Sequence, residues 1–316
     1  MADEAGIWGY HMAEHHGTPL AVAPSPNLFL AAAAQRTQRL RLGPMVQLLP
    51  LYNPLRNIEE VCFLDNISNG RLELGVGRGI SAEELEIYGL TSEEARARYD
   101  ECFDILMQGL TQPTVTHKGA YYSIVDAPMT IRPLQQPHPP LWYPTSNPER
   151  VTWVAEHGFH TLFGFSHTGP EVIAAGVAQY RAVLAAAGPG AANLAHDAML
   201  GATRHVYVDE TDEKALAVAR EAYTAFDINF RTRPGRSLEA SRRGDFDTAI
   251  GWGGIYAGSP ETVRAQVQEF LDGTRINYFV GTFAFGSLTT EQVLRSLRLF
   301  TQEVMPALHT SSMAAG

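Results

Sequence analysis

Short β-rich runs alternate with longer helical patterns along nearly the whole chain, and this alternation restricts the fold more than any other feature. Residues 6–12 (GIWGYHM) read as a strand and 27–38 as the helix after it. A strand over 40–49 (LRLGPMVQLL) leads to a helix over 54–68, with Ile58, Val61, Cys62 and Asp65 at helical spacing. Residues 71–76 (RLELGV) form the next strand. Thr91 and Glu94 then make a capping box for a helix over 92–110. After a break, LWYPTS runs into Asn147-Pro148, an N-cap followed by proline at the first helical position. HTLFGF precedes a helix over 170–187, and ATRHVYV precedes one over 211–226. Ser259-Pro260 opens a helix to about residue 271, and NYFVGTF precedes the last, over 289–305.

Seven such units predict an α/β fold with parallel strands and helical crossovers. An open doubly wound sheet fits this count, but a single-domain (β/α)8 TIM barrel over 1–316 that lacks its first strand fits better. The opening ADEAG reads as the tail of a helix, and 316 residues suit such a barrel. Two stretches depart from the rhythm. Around residues 111–140, VTHKGAYYSI predicts a small hairpin insertion about its Lys-Gly turn. Residues 231–254 are polar, glycine-rich and weakly periodic, which suits either an active-site lid or a passive surface insertion.

Composition removes several classes of function. A formal charge of −10 with no basic stripe argues against nucleic acid. Two cysteines, Cys62 and Cys102, are too few for a disulfide scaffold and fit a reducing compartment. No apolar run is long enough to span a membrane, and MADEAG lacks the features of a signal peptide. The expected location is cytoplasmic.

Three motifs carry possible chemistry. In YHMAEHHGTP, Glu14, His15 and His16 follow the first strand. His11 and His15, four apart, would share a face only on a helix, so a strand here argues against a metal site. The remaining readings are a polar loop without a role, or an imidazole base beside a carboxylate at the C-terminal end of a barrel strand. GVGRG (75–79) fails the dinucleotide fingerprint, because position 80 is Ile80. It is either a tight turn or a place where glycines admit a ligand while Arg78 forks onto a phosphate. In SNPERVTWVAEHG (146–158), Ser146, Asn147 and Arg150 surround a helix start. Asn147 capping its own helix is the commoner use of the pattern. Arg150, however, opposes the helix dipole unless an anion compensates, so Arg78 and Arg150 are expected to meet on one phosphate.

Taken in order, YHMAEHHG, residues 39–79, LWYPTSNPERVTWVAEHG, AGSPETVRAQVQEFLDG and TTEQVLRSLRLFTQEVMP resemble the bacterial-luciferase-like flavin monooxygenases over nearly the whole chain. The resemblance implies a (β/α)8 barrel and a cofactor, FMN, delivered in reduced form by a separate flavin reductase and used with O2 on a small organic substrate. It implies that His15 is the base or hydrogen-bond partner beside the reacting flavin, with Glu14 and His16 as neighbours in the motif. Met45 and Val46 would line the isoalloxazine ring, where the family often has a cis peptide. Arg78, Ser146, Asn147 and Arg150 would hold the phosphate. Phe165 would line the ring pocket, with Pro144 and Thr145 on the adjoining strand end. A homodimer is usual for the family.

The chain also departs from the family pattern. Luciferase has a reactive cysteine where this chain has Gly77, and the segment between His16 and Pro24 differs, so a long-chain aldehyde substrate and light emission are not expected. The resemblance also implies a strand and most of a helix before Ala2, which leads one to expect a start that is short. Two other readings stay open on the same fold: a deazaflavin-dependent dehydrogenase or reductase, and a flavin-binding protein without catalysis.

Overall fold

The computed structural model describes residues 1–20, 24–165, 167–187, 198–231 and 245–309. They divide into two compact units, Met1–Tyr143 and one that begins at Pro144.

In the first unit, strand β1 (Gly9–Met12) pairs in parallel with β2 (Arg41–Pro44), Gly9 opposite Arg41 and Met12 opposite Pro44. The strand expected over 40–49 is broken: the Met45–Val46 peptide is cis, and the chain resumes as β3 (Gln47–Leu48). β3 pairs with β4 (Leu74–Gly77). Helix α1 (Pro26–Ala34) follows β1, and α2 (Pro54–Ile67) follows β3. α2 starts where Asn53 accepts the N–H groups of Leu55 and Arg56 and proline sits in the first turn. Ile58, Val61, Cys62 and Asp65 are all buried within the unit, so no second copy is needed to cover them. Burial pushes the Cys62 thiol up to about 11.

Behind β4, Glu73 is buried and joins three elements. Its carboxylate pairs with Arg41 and accepts Trp142 Nε1–H at 2.6 Å. Burial raises its pKa, while Arg41 and Trp142 pull the other way. Trp142 lies on β7 (Leu141–Trp142), which pairs with β4. A short helix, α3 (Ala82–Ile87), which the strand–helix rhythm does not include, follows β4. In α4 (Ser92–Thr111) both halves of the Thr91–Glu94 capping box form. After it, β5 (Thr114–Lys118) and β6 (Ser123–Pro128) make an antiparallel hairpin. Glu101 of α4 accepts the Ala120 and Tyr121 N–H groups and so holds its turn.

The second unit is built on a four-stranded parallel sheet. The nine-residue strand β9 (Leu200–Val208) pairs with β8 (Thr161–Leu162), β10 (Ile255–Gly258) and β11 (Tyr278–Thr282). Helices α5 (Pro148–Glu156) and α6 (Pro170–Ala186) flank β8 in sequence. Further helices run over Asp212–Arg231, Pro260–Thr274 and Thr290–Leu299. One core forms where Tyr207 and Ile255 meet Ala215, Ala219, Ala222 and Tyr223, whose small members let the helix approach the sheet. Arg204 is fully buried, its guanidinium 4.2 Å from the Phe270 ring and hydrogen-bonded to the carbonyls of Thr203 and Thr168.

These strands establish an α/β fold with parallel pairing. Among the described residues no sheet closes on itself, so the structure shows no (β/α)8 ring. The lid expected over 231–254 lies mainly on residues outside the described ones. Its final part is the short helix Phe246–Gly251, capped by Asp245. Among the described residues, no helix is long and apolar enough to cross a membrane.

Candidate functional site

The loop leaving β1 carries two carboxylate–histidine pairs. Glu14 is buried and fully engaged. One oxygen accepts the Leu48 N–H at 2.9 Å. The other accepts the Tyr52 hydroxyl at 3.0 Å and lies 2.9 Å from His16 Nε2. Burial and the Glu14 charge push the Tyr52 phenol far above its usual range, so it stays a proton donor at working pH. A carboxylate can only accept, which makes His16 Nε2 the donor and, in the neutral ring, leaves its Nδ1 to accept from the Tyr88 hydroxyl 2.9 Å away. The Tyr88 ring meets that imidazole edge-on, with centroids 4.9 Å apart.

His15 is held differently. Its Nδ1 lies 3.1 and 3.3 Å from the two oxygens of Glu84, and the His15 side chain keeps 26% of its surface exposed. Glu84 is buried, and one of its oxygens also accepts the His16 backbone N–H at 3.1 Å. Sequence reasoning missed Glu84. The capping-box spacing Ser81-x-x-Glu84 points only to the start of its own helix and not to the histidines. The Ser81 hydroxyl does accept the Glu84 N–H, but the Glu84 carboxylate reaches the histidine loop 69 residues back.

The glycines of GVGRG have an internal explanation that stands beside the ligand reading. A Cβ on Gly77 would collide with the Val46 side chain, and one on Gly75 with the Pro44 carbonyl. Their smallness serves the neighbouring strand. Gly79 has φ +84°, a backbone state glycine adopts readily. Met45 is buried and Val46 partly so, on either side of the cis bond. Arg78 is half-buried and forms no salt bridge among the described residues.

In the second unit, Thr145 N–H donates to the Leu162 carbonyl at 3.0 Å, which anchors the approach to α5 on β8. The Thr145 hydroxyl accepts the Asn147 N–H. Asn147 caps its own helix, accepting from Glu149 N–H at 2.9 Å and Arg150 N–H at 3.3 Å. Two first-turn donors expected for an anion are therefore already satisfied. The exposed Ser146 hydroxyl and the Arg150 guanidinium remain as candidates. Arg150 lies 5.8 Å from the Trp153 ring centre and has no carboxylate partner among the described residues. Phe165 is 38% exposed and stacks on His167. The structure thus brings Glu14, His15, His16 and Glu84 together in one unit. Arg78 belongs to that unit, and Thr145, Ser146, Asn147, Arg150 and Phe165 belong to the other. No group of three or more His, Cys, Asp and Glu among the described residues could hold a metal ion.

Comparison with known proteins adds the following. A family model described as luciferase-like monooxygenase matches residues 1–276. The oxygenase component of a flavin-dependent trigonelline monooxygenase from Acinetobacter baylyi is 26% identical over 99% of this chain and 89% of its own. The crystal structure of monooxygenase RslO1 from Streptomyces bottropensis superposes with a TM-score of 0.84 at 27% identity, covering 96% of this chain and 90% of that one. A coenzyme F420-dependent tetrahydromethanopterin reductase from Methanopyrus kandleri gives a TM-score of 0.70 at 21% identity over 98% and 93%, a likeness of fold alone.

Proposed function

The chain belongs to the luciferase-like monooxygenase family, and we propose that it is a flavin-dependent monooxygenase taking reduced FMN from a separate reductase. In this reading it works in the cytoplasm as a homodimer on a small organic substrate, and its fold is the (β/α)8 barrel of the family. Parallel pairing within each unit supports the barrel. The exposed Phe63 on α2 supports a dimer face.

The observation that carries the proposal is the histidine–carboxylate cluster at the end of β1, in a chain matched by the family model over most of its length. Bound reduced FMN would supply the two electrons by which one oxygen atom enters the substrate and the other leaves as water. The chain's own groups bind, orient and handle protons. His15 holds or moves a proton at its ring nitrogen beside the reacting centre. Glu14, its oxygens occupied by Leu48, Tyr52 and His16, keeps the loop rigid around that ring. For the phosphate the reading takes a guanidinium, a hydroxyl and an amide from Arg150, Ser146 and Asn147 at the start of α5 and, on the family resemblance, Arg78; neither guanidinium has a carboxylate partner among the described residues. Met45, Val46, Thr145 and Phe165 are assigned to the ring and its surroundings.

A deazaflavin-dependent dehydrogenase or reductase is the second reading, favoured by the fold likeness to the Methanopyrus kandleri enzyme. O2 consumption with reductase-supplied FMN separates the two, since the deazaflavin enzyme needs no O2. A chain that binds FMN yet turns over with no reduced flavin would be a binding protein. His15→Ala should abolish turnover and leave FMN retention largely intact. Loss of flavin with an unchanged rate per bound flavin would refute the assignment of His15.

A further inference from the structure

We propose that Glu84 is the positioning residue for His15, fixing its imidazole with the proton on Nδ1 and the basic lone pair on Nε2. The inference rests on the reading that His15 serves the reaction, and it adds a residue that neither the motif nor the spacing singled out.

Three observations carry it. First, both oxygens of one buried carboxylate stand within 3.3 Å of the same ring nitrogen, and one of them also accepts the next residue's backbone N–H. Ring and main chain at positions 15 and 16 are thereby held by one group, which restricts rotation of the ring and slippage of the loop together. An acceptor at Nδ1 selects the tautomer that carries its proton there, and chemistry at Nε2 then has a defined lone pair.

Second, the chain contains its own control. In Thr91-x-x-Glu94 the glutamate folds back to the N-cap N–H and completes a capping box. Ser81-x-x-Glu84 has the same spacing, yet only the serine half forms, and the Glu84 side chain is directed to His15 instead. A local partner has been given up for one 69 residues away. α3 is also seated against that loop at a second point: Gly17 has φ +61°, and a Cβ there would run into Ile87.

Third, the adjacent histidine is held in the opposite sense. His16 offers Nε2 to Glu14 and Nδ1 to Tyr88. Of the two neighbours, only His15 has its carboxylate on Nδ1. That difference gives the two adjacent rings opposite tautomers when neutral.

The test is the His15 tautomer, read from long-range proton–nitrogen NMR correlations at a pH where the ring is neutral. Eleven histidines make assignment necessary, and His15→Gln provides it by removing one set of signals. Wild type is expected to show the proton on Nδ1. In Glu84→Ala that preference should be lost, and in the isosteric Glu84→Gln it should weaken while the melting curve stays close to wild type. FMN affinity should stay within about twofold in both variants, while turnover with reduced FMN and O2 falls roughly 100-fold in Glu84→Ala. A wild-type ring protonated on Nε2 overturns the proposal without any variant, and so does a Glu84→Ala protein that keeps the Nδ1 proton. The tautomer is read without flavin, so failure of FMN to bind would overturn the functional reading and leave this result standing.

Discussion

The Leu48 N–H donates to the Glu14 carboxylate at 2.9 Å, and this bond ties the histidine loop after β1 to the first residues past the Met45–Val46 peptide. The two residues are 34 apart in sequence, and both are buried. Removing the carboxylate with Glu14→Ala leaves the Leu48 N–H and the Tyr52 hydroxyl without their acceptor, at about 1–3 kcal/mol for each buried group. Chemical denaturation should show a loss of about 2–5 kcal/mol, with Glu14→Gln losing less. A Glu14→Ala protein as stable as wild type would mean that the carboxylate holds nothing in place.

Gly77 is predicted to be required by Val46 and not by a ligand. Gly77→Ala should destabilise by about 1–3 kcal/mol through the clash with the Val46 side chain. Val46→Ala in the same chain should recover part of that loss, because the two sites share one contact. Strict additivity in the double-mutant cycle would remove this explanation of the glycine.

Asp3 supplies a pH-dependent contribution of known sign. Its carboxylate accepts the N–H groups of Gln38, Arg39 and Leu40, and the first two lower its pKa most, from an ordinary 3.8. A depressed carboxylate pKa stabilises the fold above the unfolded value, and that stability is lost as pH falls through the folded value. The melting-temperature gap between wild type and Asp3→Asn should therefore be steady above about pH 5 and close below about pH 4. A gap that widens on acidification would contradict the assignment.

Arg78→Ala and Arg150→Ala should each weaken FMN binding by about 10-fold or more, as expected for loss of a charge-assisted contact to phosphate. Riboflavin, which has no phosphate, should bind the variants and wild type alike. Equal losses for both flavins would move the arginines away from the phosphate.

The sequence made the local part of this account legible. Proline and asparagine at residues 53–54 and 147–148, and the Thr91–Glu94 box, specify helix starts through contacts within one turn, and the structure has all of them. Longer-range features were hidden. Periodicity alone reads a single strand across Met45–Val46, and only the family resemblance points to the cis bond that is found there. β10 has only four residues after a polar stretch, too few for an alternation to register, whereas the runs LWYPTS and HTLFGF do contain β7 and β8. The Glu14, His15 and His16 motif was visible, but Glu84 was not, because a tertiary contact 69 residues distant leaves no trace in spacing. Of the two uses that the sequence offers Asn147, its Oδ1 serves the commoner one, the cap of its own helix.

The most direct test of the central claim is an ultraviolet–visible titration of the protein with FMN, with reduced FMN under nitrogen and with deazaflavin, followed by admission of air. The account predicts saturable binding of reduced FMN at one site per chain, faster O2 consumption once substrate is supplied, and weak binding of deazaflavin. Tight deazaflavin binding, no affinity for FMN in either redox state and indifference to air would contradict it.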